Sequence, residues 1–502
     1  MGRWIDCREG RFSFYELAEE YGHNLPLKRF LTLFRREGAV QYVHERDLAY
    51  DEEDLQETED VRSCLEREPQ SRTDFFPRTE VGVHRLAFRN GSGRLLGEVT
   101  LLRNPFRVGG ARSWRIKDSF LAIPKKPINN HVVCPAQRVV SAGGVRQTLS
   151  GIPFVEKNRV NIMCAHATVR VLFELLGMDK ITWREINAKA GITDPRGGGL
   201  RIGEMQMVFE KMGVWFGHRP VKDLRDGDFN SALYSIIESR KPGFIVFCTE
   251  KGGLHVVPVF GHTVNYDIWS PIGEHHYRKD TPYFLSSDFL SSYLVNDDNL
   301  GPYFCMHRYA FSAPLRFLPD AAAHKRAEGY SATIIGGAAK FREPSLLHAE
   351  QLNRNIHGRL KTLAPRATDS PWLKRLRAAI RGTVPERPVY RTMRLGSEEC
   401  LSVLIQPSKS GVGLPSRIAR ILSQGRLLPQ GSCWLTEISL NELFCGNRCK
   451  VGDMIYEYED EPGAPDILVH LIRLPGLLLA RSSGGMVEIP IPAQDYWPLW
   501  RT

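Results

Sequence analysis

The sharpest change of hydrophobic periodicity along this chain falls at Cys164, and it constrains the fold of the middle third of the protein. The segment from Gly151 to Cys164 contains Pro153 and has no helical repeat, which is typical of extended or loop structure. Beyond Cys164 an apolar stripe follows helical spacing and comprises Ala165, Val169, Leu172, Phe173 and Leu176. The pattern therefore predicts a helix that begins at Cys164 and ends at Gly177.

Helix and strand patterns alternate after this predicted helix. The predicted elements are, in order, a short helix (180–191), a Gly-rich loop (195–199), a helix (200–213), a tight turn with a buried strand (240–248) and a second strand (251–264). Thr182 is a suitable N-cap for the short helix, and Glu185 would complete a capping box. His255 lies at the start of the second strand, so this alternation gives the middle of the chain a mixed helix and strand character.

With 502 residues the chain is too long for one ordinary domain, and changes of sequence texture divide it into five predicted segments. They are an N-terminal helical and charged segment (1–75), a β-rich module (76–150), a central domain (151–315), a basic, partly helical connector (316–388) and a C-terminal α+β domain (389–502). Because helical and strand periodicities occur together, we expect the α+β class.

Local patterns in the flanking segments add further expectations. Helical spacing predicts helices within 12–21 and 27–36, and the acidic stretch 51–60 is expected to be exposed. The sequence Asn-Gly-Ser-Gly at 90–93 indicates a hairpin turn. After Pro388 the apolar runs predict strands at 400–405, 433–438, 467–472 and 477–480.

Composition and charge exclude several classes of protein. Hydrophobic residues make up 42% and charged residues 25%, the balance of a soluble globular protein. No apolar run reaches the roughly 18 to 20 residues of a membrane span, and no signal peptide is recognised, so we expect a cytoplasmic protein with reduced cysteines. The net charge of +10 permits anionic partners, but we expect no nucleic-acid partner.

A basic helix bounded by Ser370 and Gly382 is the candidate surface for an anionic partner. Its apolar residues Trp372, Leu373 and Leu376 fall at helical spacing. Its other faces carry the basic residues Lys374, Arg375, Arg377 and Arg381. An ordinary surface helix and a helix that contacts a membrane surface or an anionic partner both fit this pattern.

Cys164 and His255 are the candidate nucleophile and base. At a helix start the macrodipole and the free N–H groups favour a thiolate, and the backbone N–H of Cys164 can point at a developing oxyanion. A nearby imidazole converts such a thiol to a thiolate–imidazolium pair, which is the form that attacks carbonyl carbon. A buried core thiol is the alternative interpretation of Cys164.

The order of these features resembles that of the papain-like cysteine peptidases, in particular the type that cleaves bacteriocin leaders after a double glycine. The matching positions are Cys164, residues 197–199, Lys241-Pro242-Gly243, His255-Val256-Val257 and Gly261. The resemblance covers roughly residues 151 to 307. It implies a papain-like central domain, with a helix bundle packed on an antiparallel sheet, and catalysis without a cofactor or a metal.

The resemblance also implies a third residue that orients His255. Asp297 is the first candidate because it lies where the family places an Asp or Asn after the histidine hairpin. Asp298 and Asp267 are the alternatives, and any of the three could instead be a turn residue.

One departure from the family concerns the oxyanion hole. The family has a Gln several residues before the cysteine, and this chain has no Gln between Gly151 and Cys164. Asn158 and Asn161 are the candidates to replace it. Loss of one oxyanion donor typically lowers the rate by about 100- to 1000-fold.

These observations together predict a cysteine peptidase that cleaves a peptide or protein substrate through an acyl-enzyme with Cys164, His255 and Asp297. The same geometry serves acyltransferases, transglutaminases and deamidases, so acyl transfer is an open alternative. The missing Gln keeps a weak enzyme or an inactive binding module open as well.

Overall fold

Helices and mostly antiparallel sheets build this chain, which places it in the α+β class. A computed structural model describes residues 2–8, 13–22, 24–67, 73–75, 82–104, 106–108, 114–124, 131–158, 160, 163–193, 199–219, 227–248, 254–264, 282–307, 329–338, 349–365, 370–405, 431–444, 449–458, 467–482, 484–489 and 499–500. Among these residues, none of the helices combines the length and the apolar character that a bilayer crossing requires.

The α-helices vary from seven to sixteen residues. They are α1 (Phe14–Glu20), α2 (Leu25–Arg36), α3 (Glu52–Arg67), α4 (Cys164–Leu175), α5 (Trp183–Ala190), α6 (Ile202–Lys211), α7 (Gly227–Glu238), α8 (Ala349–Lys361), α9 (Pro371–Arg381) and α10 (Ser397–Ile405).

The strands fall into three larger sheets and two short pairs. They are β1 (Ile5–Asp6), β2 (Ala39–Leu48), β3 (Thr73–Phe75), β4 (Val83–Asn90), β5 (Leu95–Arg103), β6 (Phe106–Val108), β7 (Trp114–Ala122), β8 (His131–Val133), β9 (Ala136–Ala142), β10 (Val145–Phe154), β11 (Val214–Arg219), β12 (Gly243–Cys248), β13 (Leu254–Val264), β14 (Phe284–Leu285), β15 (Leu290–Asp297), β16 (Gly301–His307), β17 (Gly329–Ala338), β18 (Pro388–Gly396), β19 (Ser432–Leu440), β20 (Cys449–Lys450), β21 (Gly452–Tyr458), β22 (Ile467–Leu474), β23 (Leu477–Ser482), β24 (Gly485–Ile489) and β25 (Leu499–Trp500).

Two compact units divide the chain. The first contains residues 1–223, 241–261 and 292–342, and the second contains residues 224–240, 262–291 and 343–502. This division differs from the five predicted segments, because the first unit combines segments 1–75 and 76–150 with most of 151–315. One continuous hydrophobic core explains this union, since it includes residues from α1, the first sheet, α4 and β13.

The first unit contains two sheets that meet at α4. The first sheet has the order β1-β2-β4-β5-β7-β10-β9, and β10 packs against α4. The second sheet has the order β11-β17-β12-β13-β15-β16, and β8 also pairs with β13. The hydroxyl of Thr168 on α4 donates to the carbonyl of Val256 on β13 over 3.3 Å. This contact brings the start of α4 beside the start of β13.

The N-terminal helix α2 supports the hairpin between β15 and β16. The Arg29 guanidinium donates to the carbonyls of Pro302, over 3.2 Å, and Tyr303, over 2.7 Å. Gly301 has a φ of 110°, and a Cβ there would lie 2.9 Å from the Arg29 side chain. The hairpin can therefore approach α2 closely because a glycine stands at this turn.

Helix α3 corrects part of the expectation that the acidic stretch 51–60 is exposed: Asp51, Glu52 and Glu59 are exposed, but two other acids are buried. Asp54 is 1% exposed and Glu57 is 5% exposed. Asp54 forms an ion pair with Lys117 over 2.6 Å, and Glu57 forms one with Arg115. Both cations come from β7, so the acids are buried because strand cations more than 50 residues away compensate their charge.

Several local predictions are confirmed. Helix α1 lies within the predicted range 12–21, α2 covers the predicted range 27–36 but begins two residues earlier at Leu25, and α4 begins at Cys164. Helix α5 has Thr182 as its N-cap with Glu185 in a capping box, and it ends at Gly191 in the left-handed conformation. Residues 90–93 form the turn between β4 and β5, where the Gly93 N–H donates to the Asn90 carbonyl.

The second unit is built on the sheet β14-β18-β19-β21-β22-β23-β24. Three of the four predicted C-terminal strands lie in it, whereas residues 400–405 belong to helix α10. The prediction of a strand there was wrong because a short apolar run fits a strand and a buried helix equally well. Cys400 and Cys433 form a disulfide in this core, so the expectation of reduced cysteines also fails for this pair.

Buried charges of alternating sign form a chain of ion pairs in the second unit, along its main sheet and the neighbouring α7 and β20. In order of contact they are Glu238, Arg391, Glu437, Lys450, Asp453 and Arg473. Lys450 lies 2.8 Å from Glu437 and 2.7 Å from Asp453, and it is 1% exposed. Each buried ion thus has an opposite charge on one or both sides, which offsets its desolvation.

The basic helix predicted between Ser370 and Gly382 is α9. The Ser370 hydroxyl caps its first turn, and Gly382 ends it in the left-handed conformation. Leu373 and Leu376 are 1% and 0% exposed, so the apolar stripe is part of the unit's own core. Its burial favours the ordinary surface helix over a helix that inserts an apolar face into a membrane.

We expect Gly261→Ala to destabilise the first unit by about 1–3 kcal/mol. A Cβ at this position would lie 2.4 Å from the carbonyl oxygen of Val132, which is backbone and cannot rotate away. The substitution should therefore push β8 off β13. Guanidinium unfolding, followed by hydrogen exchange of peptides from the first unit, measures the change.

Gly203→Ala is the matched control in the same unit, because Gly203 lies on α6 and a Cβ there meets nothing within 4 Å. It should leave the stability unchanged or raise it slightly. Equal stability of both variants would contradict the importance of the β8–β13 contact.

Candidate active site

Cys164 lies at the first position of α4. It is a partly buried free cysteine, and Met163 is the N-cap residue of the helix. The helix begins here because Met163 has extended backbone angles, with a φ of −105° and a ψ of 177°. The backbone N–H groups of the first helical turn have no carbonyl partner within the helix, so they can bind an anion near the thiol.

His255 lies between this cysteine and two acidic residues. It is the second residue of β13 and is 4% exposed. Cys164 is near enough to the imidazole to help stabilise its charged form. Its Nε2 atom lies 3.4 Å from Oδ2 of Asp297 and 3.5 Å from Oδ1 of Asp298. Folding thus brings Cys164, His255 and the Asp297–Asp298 pair together although they are far apart in the sequence.

The surroundings of His255 strongly favour its charged form. Burial by itself lowers the pKa of the imidazole, since it disfavours a charge. The carboxylates of Asp297 and Asp298 and the nearby Cys164 outweigh burial and raise the pKa to about 10. These neighbours therefore favour the imidazolium.

The two acids differ in what else they bind. Oδ1 of Asp297 accepts from the backbone N–H of Asn299 over 2.8 Å, which leaves Oδ2 toward His255. Asp298 forms an ion pair with Lys157 over 3.1 Å. Asp297 is therefore oriented by its own turn, whereas Asp298 shares its charge with a lysine.

A buried asparagine joins the acid hairpin to the first sheet. Asn296 immediately precedes Asp297 and is 3% exposed. Its amide nitrogen donates to the carbonyl of Pro153 at the end of β10 over 2.7 Å, and its oxygen accepts from the backbone N–H of Tyr303 over 3.3 Å. The position of the acids is thus fixed by both strands of the hairpin and by β10.

Of the remaining predicted site residues, Asn158 lies among the described residues, and Asn161 and Asp267 do not. The amide nitrogen of Asn158 donates to Glu57 on α3 over 2.8 Å, and its oxygen accepts from the backbone N–H of Val160 over 2.9 Å. Its assignment to the oxyanion hole stays a prediction. Asn161 and Asp267 lie outside the described residues.

Two groups in the described part of the chain have ligand atoms close enough to hold a metal ion. One is His255 with Asp297 and Asp298, and the other is Glu20 with His44 and His84. In the first group Lys157 already neutralises one carboxylate.

In the second group, the Tyr21 hydroxyl lies between the two imidazoles, 2.7 Å from Nε2 of His44 and 2.8 Å from Nδ1 of His84. Glu20 forms an ion pair with Arg46 over 2.9 Å. In both clusters other protein groups therefore contact the candidate ligand atoms: Lys157 in the first, and Tyr21 and Arg46 in the second.

Two residues near the candidate site, Lys157 and His166, have contacts that the sequence patterns did not predict. Lys157 carries no local signal, since its partner Asp298 is 141 residues away. His166 follows Cys164 by two positions, and its ring accepts a hydrogen bond from the backbone N–H of Met163. The signal that could have found it is its place at the third helical position, where capping-box side chains occur.

Comparison of the chain with protein-family models, with curated proteins and with solved structures found no match.

The pKa of His255 makes stability depend on pH. The folded value of about 10 exceeds the ordinary value of 6.5, so the stabilisation is fully present below pH 6.5 and is lost as the pH rises through 10. We expect the free energy of unfolding to fall by a few kcal/mol more over this range in the wild type than in His255→Gln. Denaturant titrations at pH 6, 8 and 10 measure it, and parallel pH profiles of the two proteins would contradict the charged ring.

Proposed function

We propose that this protein is a cysteine peptidase in which Cys164 is the nucleophile, His255 its proton-transfer partner and Asp297 the residue that orients the imidazole. The observation that carries the proposal is a buried imidazole whose Nε2 faces two carboxylates and whose charged form the neighbouring Cys164 helps to stabilise. A thiol, an imidazole and an acid in contact are the arrangement that nucleophilic thiol catalysis needs.

Acylation begins from the Cys164 thiolate and the His255 imidazolium. The sulfur attacks the carbonyl carbon of the scissile bond and forms a tetrahedral oxyanion. The backbone N–H of Cys164, at the positive end of α4, is placed to donate to that oxyanion. As the C–N bond breaks, the imidazolium gives its proton to the leaving amine and a thioester remains.

Deacylation reverses the proton transfers. The neutral ring of His255 takes a proton from water while the water oxygen attacks the thioester carbon. Collapse of the second oxyanion releases the acid and restores the thiolate and the imidazolium. Asp297 and Asp298 lower the cost of the ring's charge in each half of the cycle.

The substrate class is a peptide or protein, and the family proposed for residues 151–315 is the papain-like one. The support for both is the order of Cys164, His255 and Asp297 along the chain together with their contact. An amine in place of water would turn the same thioester into a transfer product, so acyl transfer differs from hydrolysis only in the second step.

We expect Cys164 to react with iodoacetamide at least about 10-fold faster than Cys305 at pH 7. Cys305 is an exposed residue, so access would favour it, but burial of its thiol raises its pKa and slows it in part. The paired imidazolium and the helix start activate only Cys164. Mass spectrometry of tryptic peptides over a time course measures both rates in the same sample.

His255→Gln is the matched variant for this experiment. It should lower the rate at which Cys164 reacts with iodoacetamide and leave the rate of Cys305 unchanged. Cys134, which is buried, provides the slow reference. Slower labelling of Cys164 than of Cys305 in the wild type would overturn the proposed function.

We expect Asp297→Asn to lower peptide cleavage by about 100-fold or more, because Oδ2 of Asp297 faces the His255 ring and its Oδ1 is held by the N–H of Asn299. We expect Asp298→Asn to lower it much less, because Asp298 shares its charge with Lys157. A proteome-derived peptide mixture, with new N-termini read by mass spectrometry, is the assay, and Cys164→Ala defines the background.

The same mixture with an added primary amine detects acyl transfer. Cleavage by the wild type no greater than by Cys164→Ala, with no amine incorporated, would contradict an enzymatic role and favour a binding module.

A further inference from the structure

His166 ties the start of α4 to α5. The ring is 1% exposed and lies at the third position of α4. Its Nδ1 accepts from the backbone N–H of Met163, with 3.4 Å between the nitrogens. Its Nε2 lies 2.9 Å from Oδ1 of Asn187 on α5. Both ring nitrogens therefore have partners, one in the N-cap residue and one in the next helix.

These two contacts require one particular form of the ring. Because Nδ1 accepts a hydrogen bond, the single proton of a neutral imidazole must lie on Nε2, where it is donated to Asn187. Burial lowers the pKa of His166, which keeps the ring in this neutral form. A second proton would break the contact with Met163.

The ring cannot exchange protons with the thiol. Two helical positions correspond to about 200° of rotation, so the side chains of Cys164 and His166 leave α4 on opposite sides. Any influence of His166 on Cys164 must therefore pass through the backbone of the first turn.

We propose that His166 is a positioning residue that fixes where α4 begins and thereby holds the thiol and the backbone N–H of Cys164 in place. The inference rests on the proposed function, since it concerns the same nucleophile. A side chain at the third helical position that binds the N-cap N–H is half of a capping box. Here an imidazole takes that role, and Asn187 holds the ring from a helix that Thr182 and Glu185 cap in turn.

Two substitutions of His166 separate this role from simple packing. His166→Leu retains an apolar volume and removes both hydrogen bonds, whereas His166→Gln retains an acceptor for Met163 and a donor for Asn187. The readout is the ratio of the iodoacetamide rates of Cys164 and Cys305 in the same sample. We expect His166→Leu to lower this ratio about 10-fold and His166→Gln to keep it within about 3-fold of the wild type.

Asn187→Ala is the second variant, because Asn187 is only half-buried and its truncation spares the core. It should lower the ratio by about 3-fold and speed hydrogen exchange in the peptide that contains Met163. A wild-type ratio that persists in a folded His166→Leu protein overturns the inference. If that protein does not fold, an unchanged ratio in Asn187→Ala overturns it. A wild-type ratio below one overturns the proposed function instead, so the two failures are distinguishable.

Discussion

The burial of a charged imidazole is the constraint on which the candidate site depends. An isolated buried ion costs several kcal/mol, so the ring of His255 can stay protonated only where opposite charges surround it. Asp297 and Asp298 supply two such charges, and Lys157 offsets the second. The formal charges of the protonated His255 ring, Lys157 and the two carboxylates sum to zero. A negative charge on Cys164 would therefore be stabilised mainly by its contact with the ring and by the dipole of α4.

The first sheet and the N-terminal helices position these charges. Strand β10 ends at Phe154, and the chain reaches Lys157 three residues later. The carbonyl of Pro153 within β10 accepts the hydrogen bond from Asn296, and Arg29 on α2 binds the opposite strand of the same hairpin. The acids are thus held by regions that the sequence patterns assign to separate segments.

Local patterns predicted the parts of the site that local chemistry determines. A change of hydrophobic period predicted that α4 begins at Cys164. An apolar strand pattern predicted that His255 lies at the start of a strand. Asp297 was preferred to Asp298 only because of the resemblance. The distances from His255 Nε2 to Asp297 and Asp298, 3.4 and 3.5 Å, are nearly equal and do not decide between the two acids. The roles of Lys157, the contact of His166 with Asn187 and the burial of Asp54 and Glu57 escaped prediction because their partners come from other elements.

The shared core of the first unit has an evolutionary consequence. A central region with its own core could be inherited or exchanged as a module, with the flanks as optional additions. Here residues of α1, the first sheet, α4 and β13 fill one interior, and Arg29 contacts the turn beside the acids. A substitution that alters this core within the N-terminal 150 residues therefore also alters the packing around α4 and β13, so the two parts cannot be exchanged independently.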